Sequence, residues 1–212
     1  MEPLPIAIAA AAGYLLGALP FGVIVARLHG VDIFKEGSGN PGATNVKRVV
    51  GKRAGNTVFA LDFLKGFVAA GWPMLVEFPQ PDARVWLGLL GLAAAILGHS
   101  YSVFIGFRGG KGVAAMLGGS VALMPVAALA AALVWVVLFY STRYVSVGSI
   151  GMAVALPLVA FLRHGPGILF WFALVLGLFV IFRHRENIGR LLRGTENRFP
   201  TARERAAKGQ HE

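Results

Sequence analysis

Three polar stretches of this chain, set between long apolar ones, hold the residue types that bind phosphate. The first reads Gly37-Ser38-Gly39-Asn40-Pro41-Gly42-Ala43-Thr44-Asn45-Val46-Lys47-Arg48. The second is Gly106-Phe107-Arg108-Gly109-Gly110-Lys111-Gly112, preceded by Gly98-His99. The third combines Arg143-Tyr144-Val145-Ser146-Val147-Gly148-Ser149 with Arg183-His184-Arg185-Glu186-Asn187. Glycine lets backbone N–H groups turn toward a bound anion, and lysine or arginine supplies the countercharge. Together the three suggest a phosphate-binding floor.

Two fingerprints are spelled here without their context. Gly37-x-Gly39-x-x-Gly42 matches the dinucleotide pattern, but no strand precedes it and no parallel sheet is available. Gly109-Gly110-Lys111-Gly112 is close to a nucleotide loop, yet Gly112 stands where a serine or threonine should hold magnesium. Neither is a nucleotide site.

The usual machinery for acyl or phosphoryl chemistry is also missing. No acidic residue lies between Asp82 and Glu186, so His99 has no carboxylate near it in sequence and a His-x4-Asp pair is ruled out. There is no Gly-x-Ser-x-Gly elbow and no histidine or carboxylate cluster at metal-ligand spacing, so neither metal nor cofactor is expected. Ser38, Ser146 and Ser149 lack an obvious base, although His184 could approach one of them in the fold. Cysteine is absent, which removes disulfides, thiolate nucleophiles and thiolate metal ligands. Any group transfer here must use a donor that is already activated, with the protein positioning it and stabilising charge.

The elements that position these residues must sit in a bilayer. Of 212 residues 56% are hydrophobic and only 14% charged, with a mean hydropathy of +0.67; a soluble domain carries about 25% charged residues. Residues 3–26, 85–107, 112–142, 144–162 and 165–182 contain no Asp, Glu, Lys or Arg, and 54–76 contains only Asp62 and Lys65. A hydrocarbon core needs roughly 20 apolar residues per helix. The net charge of +10 then reads as the positive-inside bias of membrane proteins and a basic tail, and nucleic acid is not an expected partner. The Met-Glu-Pro start lacks a basic n-region, so the first run is expected to be a retained helix.

Charge placement predicts the sidedness. Arg27, Lys35, Lys47, Arg48, Lys52 and Arg53 crowd the first polar segment, and Arg183, Arg185, Arg190, Arg193, Arg198, Arg203, Arg205 and Lys208 the last. Both segments are expected in the cytoplasm, with the N-terminus outside, which requires an odd number of spans. Run 112–142 would be roughly 46 Å long as one helix, too long for a bilayer. A break at Met124-Pro125 gives seven helices. The expected organisation is an all-α integral membrane protein: a single seven-helix domain over 1–199 and a short basic cytoplasmic tail over 200–212.

Taken together, these segments resemble the PlsY family of acyl-phosphate:glycerol-3-phosphate acyltransferases. Ser38 to Asn45 is similar to its first motif. Gly98-His99, Phe104, Phe107 and Gly109 to Ala114 are similar to its second. Arg143-Tyr-x-Ser146-x-x-Ser149 and His184-Arg-Glu-Asn-Ile-x-Arg-Leu191 complete the pattern, and Asp62-Phe-Leu-Lys-Gly66 fits it. The likeness runs from about residue 10 to residue 199.

The resemblance implies seven helices with the C-terminus inside, at the inner cell membrane, with the active site facing the cytoplasm. It implies transfer of the acyl group of fatty acyl phosphate to the 1-hydroxyl of glycerol 3-phosphate, and a soluble upstream enzyme that supplies the donor. On that reading Arg48 and Lys111 clamp the phosphate of glycerol 3-phosphate, with Ser38 and Ser149 adding hydrogen bonds. Asn40, Thr44, Asn45 and the backbone of Gly39 and Gly109, Gly110 and Gly112 surround the acyl phosphate, and His184 and Asn187 orient the glycerol hydroxyls.

Plainer readings stand beside these. Gly88, Gly91, Gly118, Gly119 and Gly177 read as close-packing positions in membrane helices. Asp62 and Lys65, three apart, make either an intrahelical ion pair or a support for the first loop. His99 reads as a hydrogen-bonded structural histidine, and Trp72, Trp86, Trp135 and Trp171 as packing or interface residues. Arg190, Arg193 and Arg198 read as a lipid-facing or solvated stripe. A small anion (phosphate) transporter is the competing function, but its broken helices should lie near the midplane in matching halves. A scaffold for anionic lipid would not require loops rich in glycine, amides and hydroxyls.

Overall fold

The structure, a computed structural model, describes residues 2–201 and Glu204. The expected basic tail, with Arg203, Arg205 and Lys208, therefore lies almost wholly outside the described residues. Among those described, every regular element is helical. The α-helices are α1 (Pro3–Ala18), α2 (Phe21–Leu28), α3 (Ala43–Val49), α4 (Lys52–Gly71), α5 (Ala83–Ser100), α6 (Val113–Leu123), α7 (Pro125–Thr142), α8 (Val145–His164), α9 (Ile168–Arg183) and α10 (Arg185–Leu192).

Five segments are long and apolar enough to cross a membrane: Pro3–Leu28, Lys52–Leu75, Ala83–Ser100, Pro125–Thr142 and Val145–His164. A sixth is α9 with α10, bent by 56° at His184. The long run 112–142 breaks where expected, with Met124 between α6 and Pro125 at the start of α7. A second break was not foreseen. Run 3–26 stops at Ala18 and resumes at Phe21, because Pro20 has no N–H to continue the ladder. That leaves helix-end carbonyls at Ala18 and Leu19. Ser102 Oγ donates to Ala18 O at 2.6 Å and Lys65 Nζ to Leu19 O at 3.0 Å.

The chain packs as two compact units, Met1–Ala128 and Leu129–Glu212. In the first, α1 lies against α5 and α4 against α6 so closely that the backbones touch. A Cβ on Gly17 would meet the Ala95 carbonyl, one on Gly66 the Ala115 carbonyl, and one on Gly118 the Phe63 carbonyl. In the second, Gly177 of α9 abuts the Ala153 carbonyl of α8. Gly88, Gly91 and Gly119 likewise have no room for a side chain, so the packing reading of these glycines holds. Small residues matter here because lipid tails are as apolar as leucine, which leaves close contact as the main source of helix association. The outward faces are aliphatic and aromatic, with Leu129, Leu133 and Val137 of α7 and Val175, Leu178 and Phe182 of α9 all exposed.

Gly66→Val and Gly118→Val each push a side chain into the facing backbone. Each should lower the thermal unfolding midpoint in detergent by about 10 °C. Leu129→Ala, on the outer face of α7, should move it by about 2 °C at most. A Gly66→Val protein with the parental midpoint would show that α4 and α6 do not meet there.

Candidate active site

In the first unit the two glycine-rich segments become two loops that touch. Gly37 and Gly39 take left-handed conformations at φ +59° and +66°, which a Cβ would strain. The loop folds around the side chain of Asn45, which is 2% exposed on α3. Its Oδ1 accepts from Ser38 N at 2.9 Å, and its Nδ2 donates to Glu36 O at 3.0 Å. Asn40 Oδ1 accepts from Gly42 N at 2.9 Å, and its Nδ2 reaches Gly109 O of the second loop at 3.5 Å. Two predicted ligands, Asn40 and Asn45, thus shape the loop with their amides. The Ser38 side chain remains exposed, and Thr44 and Arg48 are half-buried one turn apart on α3.

The second loop leaves α5 after Ser100 and doubles back. Ser102 N donates to Arg108 O at 3.0 Å, Phe107 N to Ser102 O at 2.8 Å, and Gly110 N to His99 O at 3.0 Å. Gly106 and Phe107 are both left-handed, at φ +66° and +56°; Phe107 has no glycine's freedom, and its side chain is exposed. Gly112, at φ +81°, turns the chain into α6. Lys111 therefore stands half-buried at the start of an 11-residue helix, beside N–H groups that have no intrahelical partner.

Beneath this loop lies a buried charged group. Lys65 Nζ is 2.9 Å from Asp62 Oδ1, and both side chains are almost fully enclosed. His99 Nδ1 is 3.5 Å from the same oxygen. The intrahelical pair is thus formed, and His99, which has no carboxylate near it in sequence, meets one in the fold. The acid comes from α4, far back in the chain, where spacing around His99 could not reveal it.

The second unit gathers the third stretch around a residue that sequence reasoning overlooked. Glu196 is 9% exposed. Its Oε1 accepts from Ser146 Oγ at 2.8 Å and Asn187 Nδ2 at 2.6 Å, and its Oε2 from Arg190 Nε at 2.7 Å. Arg190 is therefore an ion-pair partner and not part of a lipid-facing stripe, because a buried carboxylate requires a cation nearby. Arg198 pairs with Glu204 at 3.1 Å. Burial pushes the Glu196 carboxyl up, but the bonds from Asn187, Arg190 and Ser146 outweigh it and hold it below its ordinary value. The only signal was that Glu196 and Glu186 are the sole acids of residues 183–200.

His184, also buried, directs Nδ1 to Val180 O at 2.8 Å, which leaves Nε2 as the ring atom to meet other groups. Ser149 Oγ donates to Val145 O at 2.9 Å and accepts from Trp135 Nε1 at 3.3 Å, so Trp135 does more than pack. Arg143, left-handed at φ +67°, fastens the end of the described chain. Its Nη2 donates to Pro200 O at 2.8 Å, and its carbonyl accepts from Phe199 N at 2.9 Å.

A carboxyl held low in the fold stabilises above its unfolded pKa, and that stabilisation fades as pH falls through the folded value. Glu196→Gln should therefore cost about 2 kcal/mol at pH 7. The gap from the parent protein should narrow as pH drops below the ordinary glutamate value of 4.5. Thermal unfolding of both proteins at pH 7, 5 and 4 measures it, and a gap that widens in acid would contradict the assignment.

The chain matches the family model described as glycerol-3-phosphate acyltransferase over residues 7–194. A protein of that name from Aquifex aeolicus is 47% identical over 186 residues, 88% of this chain and 95% of its own. One from Geobacter sulfurreducens is 46% identical over 190 residues, 89% and 95%. The crystal structure of PlsY (YgiH), an integral membrane glycerol 3-phosphate acyltransferase, in its glycerol 3-phosphate form superposes with a TM-score of 0.86 at 45% identity, over 93% of this chain and 97% of that one. Its lysophosphatidic acid form gives 0.83 at the same identity, over 92% and 96%. Helices that fit a membrane, glycine loops bearing lysine and arginine, and identity near one half over almost the whole length have one explanation: the chain belongs to the glycerol-3-phosphate acyltransferase family, integral membrane enzymes of the PlsY type.

Proposed function

We propose that the enzyme transfers the acyl group of a fatty acyl phosphate to the 1-hydroxyl of glycerol 3-phosphate, giving lysophosphatidic acid and inorganic phosphate. The observation that carries this is the junction of two glycine loops, through Asn40 and Gly109, beside Lys111 at a helix start. The relatives solved in glycerol 3-phosphate and lysophosphatidic acid forms support the acceptor and the product. The chemistry of the chain supports the donor. The chain has no cysteine, and the hydroxyl of Ser146 is committed to Glu196. Glu196, paired with Arg190 and held below its ordinary value, is a poor base for that hydroxyl, which favours a donor whose leaving group is good from the start.

In this reaction the acceptor hydroxyl oxygen attacks the acyl carbonyl carbon, and the bond from that carbon to the phosphate oxygen breaks. The departing phosphate takes the hydroxyl proton, so no side-chain base is needed. Arg48 and Lys111 hold the phosphate of glycerol 3-phosphate, assisted by the hydroxyls of Ser38 and Ser149. The backbone of Gly109, Gly110 and Gly112, with Gly39 and Thr44, surrounds the acyl phosphate, the Gly110 N–H itself being tied to His99 O, and Asn40 and Asn45 keep the first loop in shape. His184 through Nε2, and Asn187 fixed by Glu196, orient the glycerol hydroxyls. Membership of Ser149, His184 and Asn187 in this set rests on the sequence pattern.

The proposed topology counts α6 and the bent α9–α10 pair as spans beside the other five, making seven. The N-terminus is outside, and the basic loops and active site face the cytoplasm of the inner membrane, where a soluble enzyme supplies the donor. Because the chain has no cysteine, single cysteines report sidedness cleanly. An impermeant maleimide applied to intact cells should label Glu2→Cys and spare Lys35→Cys; the opposite pattern would reverse the orientation.

The activity test is purified protein in lipid with acyl phosphate and glycerol 3-phosphate, following phosphate and lysophosphatidic acid. Both products are expected, and none with acyl-CoA. Phosphate uptake into vesicles without any product would mean a transporter instead. Lys111→Ala should cut kcat/KM by at least about 100-fold, or roughly 3 kcal/mol, with the unfolding midpoint retained.

A further inference from the structure

The charged group under the second loop does more than its charge balance requires. Asp62 lies about 15 Å along α4 from Lys52, well inside an apolar span, where ionisable side chains are costly. Lys65 has a local task, since its Nζ donates to Leu19 O in the α1–α2 break and lies 5.6 Å from the centre of the Phe21 ring. Asp62 at 2.9 Å neutralises it. That pair is neutral without any further partner, yet Asp62 also meets His99 Nδ1 at 3.5 Å.

What His99 does with its other edge explains the link. A carboxylate at Nδ1 places the ring proton there and leaves Nε2 as an acceptor. That Nε2 edge lies flat against Gly110, so close that a Cβ on the glycine would collide with it. The His99 carbonyl meanwhile accepts from Gly110 N at 3.0 Å, and a Cβ on Gly109 would strike the same carbonyl. Asp62 thus sets the ring, and the ring and its carbonyl set the backbone of Gly109 and Gly110, next to Lys111. The same residues line a small cavity of about 20 Å³ together with Pro41 of the first loop.

We propose that Asp62, neutralised by Lys65, is a positioning residue that acts through His99 to fix the Gly109–Lys111 backbone for phosphate binding. It rests on the reading that this segment holds a substrate phosphate. None of the three side chains touches substrate. The chain behaves as a strut, from the helix break through the ion pair and the imidazole to the loop, and its effect appears in affinity for phosphate-bearing substrates.

The test compares Asp62→Asn, His99→Leu and His99→Asn in lipid, reading KM for each substrate, kcat and unfolding midpoint, with glycerol 3-phosphate binding followed separately by titration calorimetry. The His99→Asn amide stands where the Nδ1–H did. Asp62→Asn and His99→Leu should raise KM for at least one phosphate substrate about tenfold, with a smaller change in kcat, while His99→Asn, which keeps the link to Asp62 but loses the ring edge on Gly110, raises it less than His99→Leu does. Unchanged KM values with a lowered midpoint would make the group merely structural and overturn the proposal. So would equal behaviour of His99→Leu and His99→Asn, or failure of all three variants to fold. If the parent makes no lysophosphatidic acid, the proposed function fails instead. The calorimetric comparison of the two His99 variants then still decides whether the strut shapes a phosphate site.

Discussion

Direct backbone contact between membrane helices is the constraint on which the site depends. With Gly17 against Ala95, and Gly66 and Gly118 against α6 and α4, the helix axes have no slack. Water drives little association between apolar helices in lipid, so closeness has to come from missing side chains. A loop that leaves such helices inherits their rigidity. The second glycine loop runs from the end of α5 to the start of α6, two helices held in this way. It can therefore hold residues in left-handed geometry without collapsing.

Two sets of buried polar groups have clear tasks. At the α1–α2 break the Ala18 carbonyl takes Ser102 as donor, and the Leu19 carbonyl takes Lys65 besides the Phe21 N–H. At the third stretch Glu196 collects a hydroxyl, an amide and a guanidinium. Each arrangement answers the rule that a polar group removed from water must find a partner. Each also ties elements distant in sequence, so the polar interior carries tertiary information that the apolar surface lacks.

Much of the site was legible in residue types. The Met124-Pro125 break followed from length and one proline, and the glycines of the helix pairs were separable from the loop glycines by their neighbours. Other features depended on the fold. Pro20 was passed over because its run was short enough for one helix. Asp62 is 37 positions from His99, beyond any local pattern. Glu196 sits in a polar segment with so many arginines that a lone acid looked like surface. Asn40 and Asn45 carry amides suited both to shaping a loop and to holding a substrate, and residue type alone does not separate the two tasks.

The left-handed pair Gly106 and Phe107 has one more result. It turns Val103, Phe104 and Phe107 outward, each roughly half exposed, next to Arg108 stacked 4.4 Å from the centre of the Phe34 ring. Aromatic rings beside a guanidinium are the amphipathic combination that settles at the boundary between headgroups and hydrocarbon. The tip of the glycine loop thus pairs apolar surface with a fixed positive charge, a combination that would suit the edge of a bilayer.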